Sequence, residues 1–316
     1  MNFVKNSLKN LLAFSVSISI GLLIGEFIVR MFFPQITSPV QFFYDEKLGG
    51  MVPVPNQKGF KNHPDIYHYD YQNNEIGMRD TRQLADYKHI PYKILCLGDS
   101  FTYGWGVNDN ETFSNVLENK INQDSIVVLN AGSSGAGTDY ALKFFRVRGK
   151  ELSPKIVIYF YFENDREDNL ENRYFTIKND SIISNNVNEF ASINAVQKNK
   201  LANSKLYNWF SSNSHLFSMI RFQVGLFWIK KVKKENETKN TAVLEQKPTK
   251  NSEKETKTQI PTENKFKPTY KYLKALSEEV NKSGASFYTF FIPSHLSTLD
   301  FQKHGKIYQE DSLSSF

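Results

Sequence analysis

A chain of 316 residues, 40% of them hydrophobic, is long enough for one α/β domain of about 200 residues plus appendages. Its formal charge of +6 comes from lysines spread through a polar insert, not from a basic helix face, and this argues against a nucleic-acid partner. The single cysteine, Cys96, excludes an intramolecular disulfide and a cysteine-based zinc site, and inside an apolar run it reads as a buried thiol.

From Leu11 to Gly25 the chain is unbrokenly apolar or small, and apolar character resumes through Phe33 around Glu26 and Arg30. At about 1.5 Å per residue the span from Leu11 to Phe33 covers roughly 30 Å of hydrocarbon. Glu26 and Arg30 are spaced to pair near its end. Lys5 and Lys9 precede the run, so the positive-inside rule puts the amino terminus in the cytoplasm and everything after Pro34 outside it. The apolar run is long and no A-x-A site follows, so it reads as an uncleaved single-pass anchor in preference to a cleaved signal peptide.

Pro34 to Tyr92 is rich in Pro, Gly, Asn and aromatic residues, has no sustained helical period, and is expected to pack on the core that follows. Its histidines, His63, His68 and His89, lack the paired spacing of a metal site and read as surface or packing residues.

The run Ile94 to Leu97 ends in Gly98-Asp99-Ser100 and predicts a buried parallel strand. Ser100 is then at the carboxyl edge of a sheet, where open α/β folds keep their ligand crevices. Thr112 to Asn122, with Phe113, Val116, Leu117 and Ile121 on one side, predicts a helix capped at Asp109 or Asn110. A second run, Ile126 to Leu129, ends in Asn130-Ala131-Gly132-Ser133-Ser134-Gly135-Ala136-Gly137, and an amphipathic stretch follows from Thr138 to Arg148. A third run, Ile156 to Phe162, ends in Glu163-Asn164-Asp165. Strands alternating with helices predict parallel pairing through right-handed crossovers, and hence a doubly wound, three-layer α/β/α sandwich. The three strand ends bring a hydroxyl, a glycine amide and an asparagine amide to one edge, which are the parts of acyl transfer. The glycines after the second run do not have the G-x-G-x-x-G spacing of a dinucleotide loop.

Arg166 to Lys200 is polar and reads as a solvated insertion that begins at the active edge, or as a wall of the cleft. Leu201 to Lys231 carries Leu206, Trp209, Phe210, Phe217, Phe227 and Trp228 ahead of Lys230-Lys231-Val232-Lys233-Lys234. It reads either as an amphipathic helix on a membrane surface or, preferably, as a helix packed on the catalytic domain, with Arg221 and Gln223 arguing against a second span. Glu235 to Lys265 has almost no large apolar residue and is expected to be a disordered linker. Pro268 is expected to open a helix with Tyr272, Leu273, Leu276 and Val280 on one face, ended by Gly284, and Ser286 to Ile292 reads as a fourth strand. The expected layout is an anchor over 1–33, a packing segment over 34–92, and a domain over 93–316 with an insert at about 166–265.

Gly98-Asp99-Ser100, the stretch Asn130 to Gly135, and Asn164-Asp165, in that order, resemble the blocks of the SGNH, or GDSL-type, hydrolase superfamily. The likeness is greatest to its membrane-anchored bacterial members, and Tyr67 to Asp80 resembles their pre-domain element. The resemblance implies a flavodoxin-like sheet, Ser100 as nucleophile, and the Gly135 N–H and Asn164 side chain as oxyanion donors. It also implies a serine esterase or acyltransferase acting on an acylated cell-envelope carbohydrate or another ester, with no metal or organic cofactor. Phe162 stands where the third block normally opens with glycine, and the family's Asp-x-x-His block is not found. His295, just past the fourth strand, and His304, four residues after Asp300, are the candidate bases. Other readings are a lipase or thioesterase, a non-catalytic envelope protein that binds glycan or a partner, and a truncated product lacking a last strand and helix.

Overall fold

The computed structural model describes residues 2–172, 174–179, 181–185, 199–245 and 262–293. Helix α1 (Asn2–Phe32) is followed by strands β1 (Phe42–Asp45), β2 (Gly50–Pro53), β3 (Lys58–His63) and β4 (Tyr67–Gln72). Next come β5 (Tyr92–Gly98), α2 (Ser100–Tyr103), α3 (Phe113–Ile121), β6 (Ile126–Asn130), α4 (Thr138–Phe144), β7 (Ile156–Phe162) and α5 (Asp165–Asn172). A hairpin, β8 (Phe175–Lys178) and β9 (Ser181–Ser184), precedes helices α6 (Lys205–Asn213), α7 (His215–Glu245) and α8 (Thr262–Lys282), and β10 (Ser286–Ile292) completes the described elements. The chain forms two compact units. One comprises Met1–Val40, Lys61–His68 and Ser204–Gln259, and the other Gln41–Phe60, Tyr69–Asn203 and Ile260–Phe316.

The second unit is built on a parallel four-stranded sheet in the order β10-β7-β5-β6. Continuous apolar runs are what a strand covered on both faces requires, and Leu95, Leu97, Val127, Leu129 and Val157 are fully buried. Helix α3 packs on β6, α4 on β5 and on α8, and α8 on β10. Leu142, Phe145, Leu276 and Val280 from this helical layer join the same core. Cys96 is buried within β5, and desolvation pushes its thiol up to about 12, so it is an inert packing group. After β5 the chain moves to one side to form β6, then crosses to the other side to form β7 and β10. The reversal falls between β5 and β7, and crevices open beyond the carboxyl ends of two such strands.

In the first unit, Lys9–Phe32 is long and apolar enough to cross a membrane, with a mean hydropathy of 2.1. Glu26 and Arg30 pair near its end as their spacing predicts. Several local expectations change. The residues between Pro34 and Tyr92 hold four short strands, and parts of that segment belong to each unit. The cap of α3 is Thr112, whose hydroxyl accepts from the Asn115 N–H, because Asp109–Glu111 are taken up in a 3-10 turn. Within the polar insert, β8 and β9 form an antiparallel hairpin. Helix α7 continues through Glu245, so the first part of the expected linker is helical. Its last residues, from Thr262 on, belong to α8, and 246–261 lies outside the described residues. Pro268 sits inside α8, which begins at Thr262, so its missing N–H leaves one interior carbonyl without a helical donor. The aromatic-rich segment expected to pack on the catalytic domain is grouped with α1.

Candidate active site

Ser100 is fixed by a turn that only glycine can enter. Gly98 closes β5 at φ +154°, and a Cβ there would lie 2.8 Å from the Phe160 carbonyl and 2.2 Å from Thr102 Oγ1. Asp99 accepts from the Phe101 N–H at 2.9 Å, which caps α2 and leaves Ser100 half-buried at the strand edge. The loop after β6 lies directly on this turn. A Cβ on Gly132 would come within 2.2 Å of the Tyr103 nitrogen, and the Ser133 N–H donates to the Gly98 carbonyl at 3.0 Å. Gly135 follows in the left-handed region at φ +71° on the exposed side of the loop.

Arg79 holds the far side of the same turn, a role that sequence reasoning missed. Its guanidinium donates to Asp109 at 2.7 Å, to the carbonyls of Tyr103 and Gly104 at the end of α2, and to those of Asp70 and Val107. It lies over the rings of Tyr69 and Tyr103 and is almost wholly buried. Its own N–H donates to the Asn130 carbonyl, and Asn130 Nδ2 donates to Ser114. The element ahead of the first block thereby ties the ends of β5 and β6 together. Four of the partners are backbone carbonyls, which leave no mark in a sequence.

Ser100, Phe101, Trp105 and Ser134 line a pocket of about 220 Å³. Phe162 lies against Phe101 with ring centroids 4.5 Å apart, so the residue that replaces the expected glycine buttresses the pocket wall. Ser134 thus shares the pocket with Ser100, while its neighbour Gly135 is not among the lining residues. Asn164 is not among the lining residues. Its Nδ2 donates to Asp168 at 3.1 Å, and its buried Oδ1 has no hydrogen-bond partner among the described residues. That nitrogen carries two hydrogens and Asp168 takes one. No described histidine lines the pocket. His295 and His304 lie outside the described residues, while β10 ends at Ile292 in register with Phe162, at the same edge of the sheet.

Asp99 and Asp165, at the ends of β5 and β7, are buried carboxyls. Asp165 accepts from the Tyr159 hydroxyl at 2.5 Å and from the Phe162 N–H at 3.1 Å, which folds the end of β7 back on itself. Burial pushes its pKa well above the usual carboxylate range, and nearby Asp99, itself raised by burial, pushes it further. The two hydrogen bonds of Asp165 hold the end of β7 in place. Among the described residues, no cluster of His, Cys, Asp or Glu is arranged to hold a metal ion.

No protein-family model matches this chain, and no curated protein matches it. The functional reading therefore rests on the geometry and on the three sequence blocks.

Proposed function

We propose that the protein is a membrane-anchored serine esterase or acyltransferase of the SGNH type, acting on acyl esters of envelope carbohydrate. The observation that carries this reading is the convergence of two sequence blocks on one pocket. Ser100 follows the central strand at the reversal of strand order, and Ser134, next to Gly135, shares its pocket. The parallel order β6-β5-β7-β10 is consistent with a three-layer, flavodoxin-like sandwich. The apolar length of α1 supports an anchor whose amino terminus is cytoplasmic, with the remainder exported.

In the proposed reaction Ser100 Oγ attacks the ester carbonyl carbon while a general base takes its proton. The negative charge that develops on the carbonyl oxygen is met by the backbone N–H groups of Ser100 and Gly135 and by the second Asn164 amide hydrogen. Collapse breaks the ester C–O bond, and the leaving alkoxide takes the proton from the base. Water, or an acceptor hydroxyl, then attacks the acyl-serine. His295 is the base of choice and His304 the second, because the chain leaves β10 at the edge that carries Ser100. No cofactor is needed by this chemistry.

The assay that tests this is hydrolysis of an activated acetyl ester by the full chain in detergent, beside Ser100→Ala. Loss of turnover by about a thousandfold or more in the variant is the expected result. A folded wild-type protein with no turnover sinks the esterase. A non-catalytic glycan- or partner-binding protein then becomes the preferred reading, since no described histidine faces the pocket. A preference for long acyl chains would favour a lipase or thioesterase.

A further inference from the structure

The first unit is built inside out. In the corner between α6 and α7, Ser211 and Ser218 are buried at 0% and 3% exposure. Ser211 receives the Arg221 guanidinium at 3.0 Å, and its carbonyl accepts from the Ser38 N–H. Several large apolar residues of the same helices point outward: Trp209 is 58% exposed, Phe222 58%, Phe227 64% and Trp228 55%. Leu206 and Ile220 extend this surface. A protein surrounded by water turns such residues the other way, and an exposed apolar patch of this extent marks a surface whose natural neighbour is apolar.

The corner is bolted to the end of α1. Glu26 accepts from the Ser214 hydroxyl at 2.7 Å and from the backbone N–H groups of His215 at 3.0 Å and Leu216 at 2.9 Å, so a carboxylate of α1 caps the start of α7. Arg30, paired with Glu26, donates to the Asn213 carbonyl at the end of α6, and the Gln35 N–H donates to His215 Nδ1. Gly25 leaves room for Leu216, whose Cδ2 would lie 3.2 Å from a Cβ there. The end of α6 and the start of α7 therefore meet near the end of the apolar span of α1. The apolar stretch from Leu216 to Trp228 is about 20 Å long, too short to cross roughly 30 Å of hydrocarbon. It ends in Lys230 and Lys231, both exposed, with Lys231 over the Trp228 ring at 5.2 Å, and Lys233 and Lys234 follow in the sequence.

We infer that α6 and the first half of α7 form a platform lying in the interfacial layer of the membrane that α1 crosses, with an anionic lipid surface as its partner. The inference rests on the anchor reading of α1. Tryptophans sit well at the headgroup boundary, where the apolar ring and the N–H are both satisfied. The lysines meet lipid phosphates at the same depth, the arrangement of an in-plane helix. A second copy of the chain would instead bring the lysine clusters of two platforms together.

The test uses the full chain in liposomes of phosphatidylcholine with a minority of phosphatidylglycerol. Flotation reports the anchor. Trp105→Phe leaves Trp209 and Trp228 as the only tryptophans, and their quenching is read with phosphatidylcholine brominated near the glycerol end or near the methyl end of its chains. The platform predicts about twofold quenching by the shallow bromines, less by the deep ones, and a weaker effect in Lys230→Gln/Lys231→Gln. A chain that does not float contradicts the anchor and the platform together. A floating chain whose tryptophans are unquenched contradicts the platform alone, and a cross-linked dimer in that state assigns the surface to a second copy. Deep bromines quenching more than shallow ones would show α7 inserted, which also overturns it.

Discussion

The two compact units of this chain bury opposite kinds of side chain. Around the parallel sheet, Leu95, Leu97, Leu129 and Val157 are wholly enclosed, and polar groups collect at one edge, where the candidate pocket opens. Around α6 and α7, serines are enclosed and aromatic rings face out. On the platform proposed above, the same hydrophobic effect produces both arrangements, with water around one unit and an apolar layer against the other. The contrast separates a unit whose stability comes from its core from one whose apolar surface is satisfied from outside.

The contrast is broken most severely in the sheet unit at Arg79. Arg79→Met removes the guanidinium that donates to Asp109 and to four backbone carbonyls, and is expected to cost about 3–5 kcal/mol, read as a lowered urea midpoint. Activity should fall further than stability explains, because the turn carrying Ser100 loses its outer support.

Next is the pH response of Asp139. Burial holds its carboxyl up to about 7, while the unfolded chain titrates near the ordinary value of 3.8. Between those values the folded state binds the extra proton, so this contribution is complete below about pH 4 and is lost as pH rises through about 7. The loss is on the order of 4 kcal/mol. Urea midpoints measured across that window should decline less steeply in Asp139→Asn than in the wild type.

Gly132→Ala is expected to cost about 2–3 kcal/mol, since the new methyl group meets the Tyr103 backbone and not a movable side chain. At the bottom of the scale is the helical unit. Phe222→Ser in detergent should change stability by no more than about 0.5 kcal/mol, where an enclosed phenylalanine would cost several times as much. A large loss at Phe222 would erase the contrast between the units.

The sheet was legible in the sequence because its strands are continuous apolar runs. β10 occupies Ser286–Ile292 as read, β5 and β6 end in Gly98 and Asn130, and β7 ends at Phe162 just before Glu163-Asn164-Asp165. The apolar span of α1 was equally plain. The strands β1 to β4 were not, because mixed aromatic and Asn residues on short, partly buried strands give no clear period. Of the candidate site, the approach of the Ser134 loop to Ser100 was legible from the three blocks. The support from Arg79 was hidden because backbone carbonyls are its partners. The Asn164 bond to Asp168 joins an i,i+4 pair, a spacing that the sequence displays. Glu26 capping α7 was out of reach, since 189 and 190 residues separate the partners.

The most direct test of the central claim is covalent labelling of the full chain with a fluorophosphonate probe, followed by peptide mapping. An activated nucleophile in the pocket predicts one adduct, on Ser100, absent from Ser100→Ala and reduced by prior incubation with an acetyl ester. A folded protein that takes up no probe, or takes it up equally in the variant, would contradict the assignment of Ser100 as a catalytic serine.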